Sequence, residues 1–179
     1  MRACSVIIAS MLAATLSHAA DLKLIPTPQQ VQALPGSFDF KGSVVTLAPK
    51  APAEDNLALR QVVEEVVREM KPKGTGVETS RRALIIGEIA LMAGELKGQD
   101  LSVLADKGPE AYFLLVSPDK VLVAGNSPAG TFYGVQTVKQ LIRANRIGTT
   151  IPCCRILDWP GLKYRGYSDD ISRGPIPTM

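Results

Sequence analysis

The residues whose types and spacing could do chemistry crowd into one stretch, Asp158 to Gly174, where Arg165, Asp170 and Arg173 stand at intervals of five and eight from the first arginine. Asp169 and Asp170 are adjacent, and side chains of neighbouring residues on an extended strand point to opposite faces. The two carboxylates therefore cannot flank one bond as acid and base. Asp170 with Arg173 reads instead as an ion pair. The single histidine of the chain is His18, so everything after it is without an imidazole. That excludes a Ser/His/Asp triad, a Cys/His dyad, a histidine zinc site and a histidine base from this stretch and from what precedes it. Cys153 and Cys154 leave two readings open: a vicinal disulfide in an oxidising compartment, or two small apolar side chains on opposite faces of a strand.

These residues need a scaffold, and the hydrophobic periodicity outlines one. Leu22 to Leu34 mixes Pro26 and Pro28 with alternating apolar residues, giving an extended lead-in and a short strand. Phe38 to Phe40 and Val44 to Ala48 read as further strands. Ala53 to Met70 reads as a helix whose stripe is Leu59, Val62, Val63, Val66, Val67 and Met70, with Glu54 and Asp55 in a first turn that the helix dipole favours. Pro72 and Gly74 stop it. Ala83 to Gly87 is a buried strand, Gly94 to Gly108 a polar excursion, and Ala111 to Val116 with Lys120 to Ala124 a hairpin around Ser117-Pro118-Asp119. Ser127-Pro128 caps and starts a second helix carrying Phe132, Val135, Val138 and Ile142, with Gly130 and Gly134 one turn apart for a close backbone approach. Thr149 to Leu157 is a last strand. The order implies an α+β fold, a mostly antiparallel sheet with two helices packed on one face.

Composition narrows the class. The chain has 179 residues, 46% hydrophobic and 21% charged, enough for one core and too little for two full domains. A net charge of +3 and no basic block beyond Arg81-Arg82 exclude nucleic-acid binding by a basic face. Met1 to Ala20, with Arg2, an apolar stretch and small residues Ser17 and Ala19, reads as a secretory signal peptide. The competing reading, a membrane anchor, needs about 20 apolar residues, more than this stretch offers. The expected destination is the periplasm or the medium, with no membrane span in the exported protein.

The run Asp158-Trp159-Pro160 to Tyr164-Arg165-Gly166, continued by Asp170 and Arg173, resembles the opening barrel strand of glycoside hydrolase family 20, the β-N-acetylhexosaminidases. Gly125 to Thr137 is similar to the second helix of the small domain before that barrel, and Ile25-Pro26-Thr27-Pro28-Gln29 to its opening. The helix is shared more loosely with domains preceding family 84 hexosaminidase and α-glucuronidase barrels, whereas the Arg165, Asp170, Arg173 spacing fits family 20.

The resemblance implies three parts: a signal peptide over 1–20, a small α+β domain over 21–157, and over 158–179 the first strand of a truncated (β/α)₈ barrel. It implies hydrolysis of terminal β-linked N-acetylglucosamine or N-acetylgalactosamine, the substrate's acetamido oxygen attacking the anomeric carbon while an Asp-Glu pair assists. That pair is absent, since a barrel takes about 250 residues. The partners implied are N-acetylhexosamine glycans and the chain's own barrel, and no cofactor or metal. Arg165 is the one substrate-binding residue the resemblance transfers, a contact to sugar hydroxyls; in this chain it is expected to be flexible or exposed, and the fragment inactive. A free-standing exported interaction module, or the N-terminal domain of a family 84 enzyme or α-glucuronidase, are the alternatives.

Overall fold

The computed structural model describes residues 22–70 and 82–166. Residues 1–20, expected to be a signal peptide, lie outside them, as do Pro72, Gly74, Asp169, Asp170 and Arg173. A six-stranded sheet carries strands in the order β1-β6-β4-β5-β3-β2, where β1 is Gln30–Asp39, β2 Val44–Leu47, β3 Ala83–Glu88, β4 Tyr112–Val116, β5 Lys120–Gly125 and β6 Thr150–Asp158. Helices α1, Asp55–Met70, and α2, Pro128–Asn145, complete the α+β architecture.

The sheet is mixed. Three pairings, β1 with β6, β4 with β6 and β4 with β5, are antiparallel, and β2 with β3 and β3 with β5 are parallel. The parallel edge arises because α1 crosses over between β2 and β3, returning the chain to the same end of the sheet. Alternation of side chains cannot reveal this, since it is the same in both kinds of ladder. The two short strands read before and after Gly36 are one strand, β1, interrupted by a register shift between Ala33 and Ser37.

Both helices lie on one face, where Ala58, Val62 and Met70 of α1 and Val135, Val138, Leu141 and Ile142 of α2 join Phe38, Leu84, Ile86, Leu114, Val123 and Ile156 in one core. The opposite face is also covered. Met92, Leu96 and Leu104 pack there on Phe113, Leu122 and Leu157, so the segment read as a polar excursion, Gly94 to Gly108, buries Leu96 and, in the 3₁₀ turn Ser102–Leu104, Leu104; a second such turn, Ile89–Leu91, precedes it. Each such leucine contributes about 2 kcal/mol of apolar burial.

Helix α1 departs from its expected stripe. Val63 and Val67 are exposed, at 38% and 57%, while Ala58 and the carboxylates Asp55 and Glu65 face inward. The physical reason at Glu65 is its pair of arginine partners, which turn that side of the helix toward α2. Helix α2 keeps Val135, Val138 and Ile142 of its stripe in the core, while Phe132 is half-buried outside it, and Ser127 caps the helix by accepting a hydrogen bond from the Ala129 amide. Its glycines let it approach closely: a Cβ on Gly130 would lie 2.3 Å from the Ala111 carbonyl oxygen, and one on Gly134 2.6 Å from Val123. Cys153 and Cys154 are buried free thiols, with burial pushing the Cys154 thiol up to about 12. Residues 159–166 form no strand, and the rest of the expected barrel strand lies outside the described residues. Among the described residues no helix is long and apolar enough to cross a membrane.

Candidate functional site

Where β6 leaves the sheet, a groove of about 540 Å³ opens between the lead-in segment, α2 and the turn that follows Asp158. Its floor is a hydrogen-bonded chain. The Tyr112 hydroxyl, on β4, donates to Asp158 Oδ2 at 3.0 Å and lies 2.6 Å from Thr137 Oγ1 on α2. With the single phenolic proton directed to Asp158, the one Thr137 hydroxyl proton is shared between the phenolic oxygen and the Tyr133 carbonyl, 3.4 Å away. Burial first, then the Asp158 charge, raises the Tyr112 pKa far above its ordinary 10.0, so the phenol stays neutral and donating. The other Asp158 oxygen accepts from the Gln29 amide at 3.0 Å. Asp158 is thereby fixed to three elements at once.

The lead-in forms one wall and is strapped down by α2. Gln140 accepts from the Ile25 amide at 2.8 Å and donates to its carbonyl at 2.9 Å; Asn145 treats Lys23 likewise at 2.8 and 3.2 Å. Two residues spaced five apart on α2 thus hold an extended segment that has no ladder of its own. The peptide between Ile25 and Pro26 is cis.

Arg165 stands at the mouth of this groove. Its guanidinium donates to Glu110, in the turn before β4, and its Cζ lies 5.9 Å from the centre of the Tyr133 ring. The hydrogen bond that it donates to Glu110 raises the Arg165 pKa further above its ordinary value. Half of the arginine side chain remains in solvent, at 48%. It is exposed, as expected of it, and it is also partnered. Pairing of this kind is screened at the surface and contributes little stability, but it fixes a direction. The groove brings Arg165 together with Glu110, Tyr133, Gln136 and Trp159.

Glu110, Tyr112 and Tyr133 were invisible as site residues in the sequence. Tyr112 lies inside an apolar strand run, and its hydroxyl acquires a role only when Thr137 and Asp158 are brought to it by folding. Tyr133 is 41% exposed beside the close-packed Gly134, which only the folded helix shows. Both groove carboxylates are engaged, Asp158 by Tyr112 and Gln29 and Glu110 by Arg165, so the arrangement positions groups and offers no free acid-base pair. Among the described residues no group of three His, Cys, Asp or Glu side chains could hold a metal ion.

Comparison with known proteins agrees with this architecture. The family model described as glycosyl hydrolase family 20, domain 2, matches residues 21–159. A β-N-acetylhexosaminidase of Cellulomonas fimi is 39% identical over 67 residues, 37% of this chain and 14% of that protein. The chain spans about a seventh of the length of the curated relatives it matches. Among solved structures, the chitobiase of Flavobacterium johnsoniae superimposes with a TM-score of 0.62 at 18% identity, over 87% of this chain and 23% of that one. CpGH84D does so with a TM-score of 0.66 at 13% identity, over 83% and 25%. At those identities the two structures speak for the fold alone. The match over residues 21–159 speaks for the family, and the chain belongs to glycosyl hydrolase family 20 through that family's domain 2.

Proposed function

We propose that this chain is the leader, small domain and barrel start of an exported β-N-acetylhexosaminidase that removes terminal β-linked N-acetylglucosamine or N-acetylgalactosamine. The parts are a signal peptide over 1–20, the small domain over 21–157 and the catalytic unit from 158 onward. The observation that carries the reading is the family match over residues 21–159, which ends one residue into the Trp159-Pro160 turn leading to Arg165. The small domain's task is mechanical. The Tyr112, Thr137, Asp158 and Gln29 contacts fix the point and angle at which the chain leaves β6 toward the catalytic unit.

In this reading Arg165 binds ring hydroxyls of the terminal sugar, a task suited to a planar guanidinium with several fixed donors. The substrate's own acetamide supplies the nucleophile, as in the substrate-assisted exceptions to the two-carboxylate rule. The 179-residue product by itself is inactive.

The test compares two products, the 179-residue chain and the same open reading frame carried to its natural stop, for release of nitrophenol from an N-acetyl-β-glucosaminide. Activity confined to the longer product is expected, with Arg165→Lys raising its KM. Hydrolysis by the 179-residue chain, or calorimetric binding of N-acetylglucosamine to it, would overturn the assignment of roles.

A further inference from the structure

Asp55, the first residue of α1, is fully buried at 0% exposure, and neither of its carboxylate oxygens has a hydrogen-bond partner. A carboxylate at a helix N-terminus ordinarily accepts from the free amides of the first turn. Here the amides of Asp55, Asn56 and Leu57 already donate to the carbonyls of Pro52, Ala53 and Glu54, at 3.1, 3.1 and 3.3 Å. The turn has consumed its own donors.

Among the described residues the surroundings supply no counter-charge. Glu54, in the turn before α1, and Glu88, at the end of β3, are the charges that act on Asp55, and both are negative. Strand β2 has no charged residue and β3 has Glu88 alone. The cations of α2 that reach α1, Lys139 and Arg143, are engaged further along it by Gln61 and Glu65.

We propose that Asp55 is a proton-operated clasp: in mildly acidic solution it takes up a proton, and α1 seats more firmly on the parallel edge of the sheet. The neutral acid is the form this site accommodates, because a buried charge without donors is costly while a buried carboxylic acid is far less so. Burial first, then Glu88 and Glu54, raises the Asp55 pKa from 3.8 to about 6. A folded-state pKa above the unfolded one means that the contribution is complete below 3.8 and is lost as pH rises through about 6. No histidine follows His18, and both cysteine thiols are shifted upward, so among the described residues no imidazole or thiol competes with Asp55 near pH 6.

The experiment is urea unfolding of the reduced 179-residue chain and its Asp55→Asn variant, near pH 7.5 and near pH 5. Comparing the two proteins cancels His18, which both carry. The ratio of wild-type to variant unfolding constants is expected to be about tenfold smaller near pH 5 than near pH 7.5. A ratio that stays constant, or that rises on acidification, overturns the proposal. Should the variant fail to fold, NMR titration of the Asp55 carboxyl carbon in the wild-type chain decides: a midpoint above pH 5 supports the clasp, and one at or below pH 5 overturns it.

Discussion

Asp55 and Glu65 lie on one helix, both buried, one at 0% and the other at 2% exposure, yet their electrical surroundings are opposite. Glu65 accepts from Arg68 at 2.7 and 2.8 Å and from Arg143 of α2 at 2.7 and 2.6 Å, so each of its oxygens has two charged donors. Asp55 has none, and its nearest charges repel it. Burial acts the same way on both, favouring the neutral acid. At Glu65 the arginines outweigh it and hold the carboxyl below its ordinary value; at Asp55 nothing does. What differs is the neighbouring element: α2 brings cations to the middle of α1, and β3 brings a carboxylate to its start. A buried carboxylate thus either fastens a helix or loosens it, depending on what the facing element supplies.

The largest expected effect breaks the fastened end. Arg143→Met leaves Glu65 buried with a single, mostly exposed partner and removes the ion pair between α1 and α2, leaving the one from Arg146, at the end of α2, to Glu69. A fully buried pair would lose more, but the Arg143 side chain is 50% exposed and water replaces part of the interaction. Urea unfolding near pH 7.5 should show a loss of about 2–3 kcal/mol. Arg143→Lys should restore only part of it, because an ammonium cannot reproduce the two-pronged contact. A loss below about 0.5 kcal/mol would mean that Glu65 is stabilised by Arg68 alone.

The next effect has the opposite sign. Asp55→Asn removes the unpartnered charge and should stabilise the domain near pH 7.5 by about 1–2 kcal/mol, less than the full pKa displacement implies because the buried amide is also left without partners. Few single substitutions stabilise, so the sign is the informative result.

The two ends also predict the shape of the pH dependence. Glu65 has a depressed folded-state pKa, so its contribution is present above about 4.5, its ordinary value, and is lost as pH falls through the folded value; Asp39 acts in the same direction. Asp55 does the reverse, losing its contribution as pH rises through about 6. Stability should therefore peak between the two ordinary values, at roughly pH 4 to 4.5, with an acid limb flattened by Glu65→Gln and an alkaline limb flattened by Asp55→Asn. Denaturation midpoints measured across that range give both limbs.

The sequence disclosed much of the scaffold and little of this contrast. Strand β3, the β4–β5 hairpin, the Ser127 cap and the stripe of α2 follow from runs, turn residues and period, which are local signals. The face of α1 does not. Of the six residues read as its stripe, Leu59, Val62, Val66 and Met70 do pack on the core, but Glu65 turns inward beside them with a partner, Arg143, seventy-eight positions away. Asp55 reads in sequence as a dipole-favoured first-turn acid; only the folded turn shows its amides already occupied. The groove repeats the lesson. Arg165 was legible through a motif, whereas Glu110 and Tyr112 became site residues through contacts forty-six to fifty-five positions apart in the chain.

The smallest predicted effect sharpens the account of Asp55. Glu88→Gln removes one of the two repelling charges and leaves burial and Glu54 in place. Burial is the leading cause of the raised pKa, and Glu88 is itself partly in solvent, so the repulsion is screened. The variant should gain about 0.5 kcal/mol near pH 7.5 and nothing near pH 5, where Asp55 is already mostly protonated. It should also move the Asp55 titration midpoint down by a fraction of a unit, visible by NMR. If Glu88→Gln instead matched Asp55→Asn in size, charge repulsion and not burial would set the state of Asp55. The clasp would then depend on ionic strength, weakening its pH response as salt rises.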